Sequence, residues 1–184
     1  VYIVGDFAYD SGEIPADYFK RLNGRKHLIR GNHDVGLDHQ EQLFDYCESV
    51  TDLLEIEDGG EHIILCHYPF VHNKKAYMIH GHIHNRRGQG YEMLKEMPRV
   101  LNAGVDINFY RPATLKQLIR NNEMYYSEQY PELFRDPSDE AFAHAYDHLL
   151  EEYGVDDFRH WSSEHFRPLA VKKPDFRPLP VKKC

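Results

Sequence analysis

The amino-acid sequence predicts an α/β layered domain. Over the first hundred residues of the 184-residue chain, short apolar runs alternate with amphipathic segments, which is typical of layered α/β proteins and not of helix bundles. The apolar runs repeatedly end in a turn that carries an Asp, Asn or His side chain. In open α/β sheets, ligands bind beyond the carboxyl ends of the strands, so this recurrence predicts one shared site.

Turn and capping residues delimit the predicted elements. Pro15 suits the first turn of a helix over residues 14–22, and Gly24 is placed to end that helix. The turn residues 58–60 (Asp-Gly-Gly) predict a hairpin between the strands on either side of them. The predicted strands cover residues 1–4, 27–30, 53–56, 62–66, 76–79 and 100–102, and the predicted helices cover residues 14–22, 40–47, 115–121 and 139–153.

The chain divides into three predicted regions. Residues 1–122 form the catalytic domain, and residues 123–165 form a helical extension that packs on the domain or on a protein partner. Residues 166–184 contain a direct repeat rich in Pro and Lys, which predicts an extended or disordered arm. A solubilising tail is the simpler interpretation of this arm, and a docking arm for an acidic surface is the alternative.

Composition and charge restrict the function classes. The net charge is -8 and the pI is about 5.9, so the molecule as a whole lacks the basic character that supports non-specific nucleic-acid binding, although a local basic groove stays open. No apolar run approaches the roughly 20 residues of a membrane span, so we expect no membrane partner. Cys47, Cys66 and Cys184 are odd in number and show no CxxC spacing, which argues against a disulfide framework and favours the cytoplasm.

Histidine is over-represented, and its positions predict a metal centre. Nine of the 13 histidines lie between residues 27 and 84. A two-metal hydrolase needs an anionic oxygen that bridges two cations, and Asp6 can supply it. The remaining candidate ligands are one amide and three imidazoles, which suit Mn, Fe, Zn, Ni or Co better than Ca, so two divalent transition-metal ions are expected. Asn32, His67 and His82 complete one metal shell with Asp6, and His84 points to the second metal.

His33 lies beside a predicted ligand and is followed by an acid. A histidine at this position can protonate a departing alkoxide or contact phosphoryl oxygens, so we assign it as the general acid. Asp34 can hold the imidazole of His33 in the required tautomer.

Several neighbouring residues have both a functional and a structural interpretation. Arg86 and Arg87 can bind substrate phosphate, or they can be solvent-facing charges. Tyr68 can stack on a base or sugar, with ordinary aromatic packing as the simpler alternative. His80 would share a strand face with His82, and we favour packing beneath the ligands over direct coordination.

These motifs resemble those of calcineurin-like metallophosphoesterases, and residues 1–112 are similar to the compact bacterial and phage branch of that superfamily. The resemblance implies two packed mixed β-sheets flanked by helices, with a dimetal centre at the strand ends. It also implies hydrolysis of a phosphomonoester or phosphodiester, with a small phosphoester or nucleotide as substrate and a metal-bound hydroxide as nucleophile. The motifs that carry it are, in order, Gly5-Asp6, Gly31-Asn32-His33-Asp34, the strand-terminal His67, and Gly81-His82-Ile83-His84.

Two departures from the family pattern are informative. In that family the first strand contributes Asp-x-His to the first metal, and no such motif precedes Asp6. Val1 opens the chain inside an apolar run without an initiator Met, so we expect an N-terminal truncation, with the first set of ligands upstream. Family protein phosphatases carry Asp-Arg-Gly and end the Asn-His motif in Glu, whereas Phe7 follows Asp6 and the motif ends in Asp34, which favours the phosphodiesterase or small-phosphoester branch.

Two alternatives stay open at this point. A non-catalytic module of the same fold could keep one metal and present the helix over residues 139–153 to a protein partner. A nuclease would use the same chemistry on DNA or RNA.

Overall fold

The elements of the chain build two β-sheets, as seen in a computed structural model that describes residues 1–8, 14–34, 45–71, 75–88 and 90–134. The α/β prediction with two sheets is confirmed. The strands are β1 (Tyr2–Val4), β2 (His27–Ile29), β3 (Ser49–Thr51), β4 (Leu53–Asp58), β5 (Glu61–Cys66), β6 (Tyr77–His80) and β7 (Val100–Asn102), and the α-helices are α1 (Pro15–Arg21), α2 (Tyr91–Lys95) and α3 (Leu115–Ser127).

The two sheets differ in strand direction. The first has the order β1-β2-β3 and all of its strands are parallel, whereas the second has the order β4-β5-β6-β7 and is mixed. In the second sheet, β4 and β5 form an antiparallel hairpin, and β5, β6 and β7 run parallel. The resemblance implied two mixed sheets, so this part is corrected for the described strands. The first sheet is parallel because long crossovers, one of which contains α1, join its strands in place of tight turns.

The predicted helix ends have clear physical causes. Pro15 occupies the first position of α1, and the Nζ of the buried Lys26 donates to the carbonyl oxygens of Phe19 and Leu22 beyond the last turn. In α3, Thr114 and Gln117 form a capping box.

The structure differs from the sequence prediction in two short elements and in the end of one predicted helix, and two predicted segments lie outside the described residues. The strand β3 was not predicted because it contains one apolar residue and no apolar run, and the helix α2 was not predicted because five residues are too few to show a helical period. The predicted helix over residues 40–47 lies mostly outside the described residues, and its last three residues are not helical. The helix over residues 139–153 and the arm over residues 166–184 lie wholly outside them.

Core packing joins the two sheets and extends past the predicted domain boundary. One cluster of buried residues combines Ile29 of the first sheet with Leu65 and Ile79 of the second and with Leu118 of α3. The helix α3 continues through residue 122, and a second cluster packs the chain up to Phe134 against the second sheet. The packed unit therefore reaches at least Phe134, later than the boundary predicted after residue 122. The second cluster consists of Met78, Tyr91, Leu94, Val100, Ile107, Phe109, Tyr125, Tyr126, Leu133 and Phe134.

Within the residues that the structure describes, none of the helices combines the length and the apolar character needed to cross a bilayer.

Candidate metal centre

The turns that follow β1 and β2 are held together by the carboxylate of Asp34. One of its oxygens accepts hydrogen bonds from the backbone N–H groups of Asp6 and Gly31, at 2.7 and 2.8 Å, and the other accepts from Phe7 at 2.9 Å. Asp34 is fully buried. These contacts give Asp34 a structural role in addition to the predicted one, because it positions the main chain around Asp6.

His67 follows β5 and is fixed on both sides. Its Nδ1 lies 3.0 Å from the carbonyl oxygen of Val4 at the end of β1. Its own carbonyl oxygen accepts hydrogen bonds from the N–H groups of Gly81 and His82, which follow β6. Only 1% of His67 is exposed, so its ring has a single defined orientation between the two sheets.

Donor atoms from three other segments converge on the Nε2 of His67. The Oδ1 of Asn32 lies 3.1 Å away, the Nδ1 of His82 lies 3.1 Å away, and the Oδ2 of Asp6 lies 3.2 Å away. The ligand atoms of Asp6, His67 and His82 all lie within 4.8 Å of one another. The four residues predicted to share one metal are therefore neighbours in space.

The four side chains of this cluster direct more lone pairs at one another than they have N–H protons to share. The carbonyl of Val4 can only accept, so the Nδ1 of His67 carries a proton, and in the neutral ring the Nε2 presents a lone pair to the other three groups. Burial, and after it the neighbouring His67, lowers the pKa of His82, so this ring is neutral near pH 7 and adds at most one proton to the cluster. A cation would balance the remaining lone pairs of Asp6 and Asn32, so the donor set fits a divalent transition metal.

Three glycines allow these groups to approach closely. A Cβ on Gly5 would overlap the ring of His67, one on Gly31 would overlap the carboxylate of Asp6, and one on Gly81 would overlap the carbonyl of Val4. Gly5 also has a φ of +85°, a conformation that other residues adopt only with strain. The glycines in the sequence motifs thus have a steric explanation.

A cavity of about 270 Å³ opens beside the cluster, and His33 and His84 line it together with Asp6. His33 is exposed, and its backbone N–H donates to the Oδ1 of Asp6 at 2.8 Å. The Nδ1 of His84 lies 3.5 Å from a carboxylate oxygen of Asp106. The residues that line the cavity are Asp6, Asn32, His33, His82, Ile83, His84, Arg86, Gly88 and Tyr91.

The three predicted substrate-binding residues differ in position. Arg86 lines the cavity, whereas the guanidinium of Arg87 lies over the ring of Tyr91, 5.6 Å from its centre. The ring of Tyr68 packs against His82 at 4.7 Å between centroids and is 47% exposed. Arg86 is therefore the better placed of the two arginines to contact a ligand in the cavity.

His80 lies beneath the site and is fully buried. Burial, and after it the nearby His67 and His82, lowers the pKa of His80 to about 4, so its ring is neutral at physiological pH. Neither ring nitrogen has a hydrogen-bond partner among the described residues. His80 is not part of the group of side chains that could hold an ion, in line with the packing that we favour.

Sequence reasoning missed two residues near His84. Asp106 and Asn102 contact the segment of His84 and Asn85, and both are buried. The signal was present, since Asn102 ends β7 and Asp106 follows it closely, as the other site residues follow their strands.

Comparison with known proteins adds little to this geometry. No family model matches the chain, and a search of curated proteins finds no match. Among solved structures, the chain is similar to the protein of unknown function AQ665 from Aquifex aeolicus, with 26% sequence identity over 65% of this chain and 74% of that chain, and with a TM-score of 0.48. Because this likeness is weak and the neighbour has no known function, it does not indicate a function for this chain.

Proposed function

We propose that this protein is a metal-dependent phosphoesterase of the calcineurin-like superfamily, which hydrolyses a phosphomonoester or phosphodiester at a binuclear centre. The observation that supports this most is the convergence of Asp6, Asn32 and His82 on the Nε2 of His67. One carboxylate, one amide and two imidazoles form a donor set that would hold a transition metal, and a five- or six-coordinate ion would keep a position for water.

The four convergent residues would hold one ion, and Asp6 with His84 would contribute to the second. When bound, such ions act as Lewis acids that lower the pKa of water and neutralise the charge of a phosphoryl group. Asp6 suits a role shared between the two positions because its Oδ2 faces His67 and its side chain also lines the cavity that contains His84.

His33 is the residue placed to move a proton. It is exposed at the wall of the cavity, and its backbone hydrogen bond to Asp6 fixes its distance from the cluster. Its ring can donate a proton to the oxygen of the leaving group while Arg86 on the same cavity wall contacts phosphate oxygens. Asp34 supports this step through the main chain, because it holds the two turns that carry Asp6 and His33.

The dimensions of the cavity favour a small substrate. A volume of about 270 Å³ lies just below the range of roughly 300–1,000 Å³ for small-molecule sites. The net charge of -8 gives no general attraction to a nucleic-acid backbone. A small phosphoester or a nucleotide is therefore the substrate class that we propose.

Metal binding by the purified chain tests the first half of this proposal. We expect calorimetric titration with Mn²⁺, together with elemental analysis after dialysis, to show binding that Asp6→Asn weakens strongly. The amide at this position keeps an oxygen for the N–H of His33 but removes the charge between the cations. Asp52→Asn is the matched control, because this carboxylate is exposed and pairs with Arg30 away from the cavity. Equal binding by both variants would remove Asp6 from the centre.

Hydrolysis tests the second half. The Mn²⁺-loaded chain is incubated with bis-p-nitrophenyl phosphate, p-nitrophenyl phosphate and single-stranded DNA, and we expect turnover of at least one small ester that is lost in His33→Asn. Metal binding without turnover of any substrate would favour the non-catalytic module. Cleavage of DNA alone would favour the nuclease.

A further inference from the structure

We propose that Asp106 is a positioning residue that fixes the ring of His84 and thereby prepares the second cation position. The role of His84 as a ligand rests on the proposed function. The pairing of His84 with Asp106 stands on its own geometry and can be measured without any metal.

Asp106 is a buried carboxylate with an incomplete set of partners. It lies in the short 3-10 turn Val105–Ile107, which follows β7. Asp106 itself is 7% exposed. Its Oδ2 accepts the backbone N–H of Asn85 at 2.7 Å and lies 3.5 Å from the Nδ1 of His84. Its Oδ1 is buried and has no hydrogen-bond partner among the described residues. The Oδ2, which faces the Nδ1 of His84, has a second lone pair, and the ring of His84 is a donor within reach of it.

The main chain at His84 is held on both sides. His84 has a φ of +52°, which is a left-handed conformation that a residue with a side chain keeps only when its surroundings impose it. The side-chain amide of Asn102 donates to the carbonyl oxygen of His84 at 2.7 Å, and Asp106 accepts the next N–H along the chain. Rotation of the His84 side chain is therefore the main freedom that remains, and Asp106 lies where it can restrict that rotation.

The packing around Gly104 indicates that this contact depends on a close approach. A Cβ on Gly104 would lie 2.6 Å from the Oδ1 of Asp106 and 3.0 Å from the Oδ1 of Asn102. A side chain at residue 104 would thus displace both groups that hold the His84 segment. The position of Gly104 between them is a second, independent sign that the arrangement is built for His84.

Asn102 in turn is anchored to α3. Its backbone N–H donates to the Oδ1 of Asn122, and the Nδ2 of Asn122 donates to the carbonyl oxygen of Asn102. Both side chains are buried, so the end of β7 and the turn that carries Asp106 have one fixed position relative to the helix.

The chemical consequence concerns the tautomer of His84. If Nδ1–H donates to Asp106, the lone pair stays on Nε2, the nitrogen free to face the cavity that His84 shares with Asp6. A carboxylate behind a ligating imidazole also raises its basicity, and loss of such a partner typically costs about 10–100-fold in metal affinity.

The tautomer is measured first, in metal-free protein. We expect the ring nitrogens of His84 in a ¹⁵N–¹H NMR spectrum to show Nδ1–H in the wild type and the Nε2–H form, common in free imidazole, in Asp106→Ala. Asp106→Asn keeps an oxygen for Asn85 and His84, so it should retain much of the Nδ1–H form and provides a variant that folds if the alanine variant does not. An Nε2–H tautomer in the folded wild type would overturn the proposal, whatever the protein does with metals.

Metal affinity is the second readout, in a calorimetric titration with Mn²⁺. We expect Asp106→Ala to weaken the weaker of two binding steps by about 10–100-fold and to leave the stronger step unchanged, with Asp106→Asn in between. Equal weakening of both steps would mean a merely structural role and would count against positioning. A wild type that binds a single ion, or none, would contradict the binuclear function, while the NMR result would still decide the pairing of Asp106 with His84.

Discussion

The two halves of the candidate site differ in how they are built. Around His67, donor atoms from three other strand-terminal segments meet within 3.2 Å of one nitrogen. Around His84, the predicted ligand is half-exposed and stands 3.5 Å from a carboxylate that no motif contained. The first half is a closed set of ligands, whereas the second is one ligand with a support behind it.

The two halves also differ in the contacts that fix the orientation of each histidine ring. The ring of His67 is held by contacts to β1 and to the turn after β6, so both sheets position it directly. The ring of His84 is positioned through Asp106, and the main chain of His84 through Asn102 and α3. Damage to the first half should therefore remove binding outright, while damage to the second should weaken it by degrees.

Removal of the central imidazole should have the largest effect. His67→Ala deletes the nitrogen on which the other three donors converge, so we expect its loss of Mn²⁺ affinity to exceed the roughly 10–100-fold cost of losing an outer partner. His62→Ala is the control, because His62 lies on β5, the strand that leads to His67, but its side chain is 43% exposed and paired with Glu55. Calorimetric titration checks the prediction, with circular dichroism to confirm that both variants fold. Similar affinities for the two variants would show that His67 is not at the centre.

The second-largest effect should come from a methyl group added to Gly5, which lies behind the ring of His67. Gly5→Ala and Gly24→Ala introduce the same methyl group at similar positive φ angles, +85° and +81°. The methyl on residue 24 meets nothing within 4 Å, so we expect only the backbone cost of about 1 kcal/mol there. The methyl on residue 5 would overlap the ring of His67 and should also abolish metal binding. Chemical denaturation measures the first effect and metal titration the second.

Equal metal affinity in the two alanine variants would contradict the close packing of Gly5 against His67. An equal loss of stability with unequal affinity would still support it, because the affinity difference isolates the contact from the backbone strain.

Much of the first half could be predicted from the sequence, and the reason is physical. Asp6, Asn32, His67 and His82 each follow a strand, and parallel strands bring their carboxyl ends together, so position along the chain implies position in space. The same reasoning gave the hairpin of β4 and β5, because its turn residues are local signals.

The second half could not be predicted in the same way. The contact between Asp106 and His84 depends on how the turn after β7 packs, and no local pattern encodes that distance. The direction of β3 relative to β2 is equally hidden, since three residues carry no register information. The role of Asp34 was also missed, because three backbone donors can only be counted once the turns after β1 and β2 are placed side by side.

The contacts of Asp34 lead to a prediction of intermediate size. An asparagine offers one acceptor oxygen, so Asp34→Asn would turn an NH₂ group toward a backbone N–H and leave it unsatisfied. We expect the free energy of unfolding to fall by about 2 kcal/mol, the usual cost of an unpaired buried group. Urea denaturation of metal-free protein is the measurement, and Asp17→Asn, at an exposed pair with Lys20 on α1, is the control. A change in Asp34→Asn no larger than in the control would mean that the two turns are held by other contacts.

The effect that should be smallest at neutral pH lies behind the first half of the site, at Cys47. This thiol packs with Phe19 and Leu28, and partly buried Phe7, next to Asp6, lies against the same cluster. Burial raises the pKa of Cys47 from 9.0 to about 11, which means that the folded state favours the protonated thiol. The stabilisation is complete below pH 9 and is lost as the pH rises toward 11, because only the unfolded chain releases the proton in that window.

We therefore expect the free energy of unfolding to fall less steeply between pH 9 and 11 in Cys47→Ala than in the wild type or in Cys66→Ala, measured by urea denaturation of metal-free protein. Identical slopes in all three would mean that the thiol titrates as it does in water, and that the layer beneath Phe7 is wetter than its packing indicates.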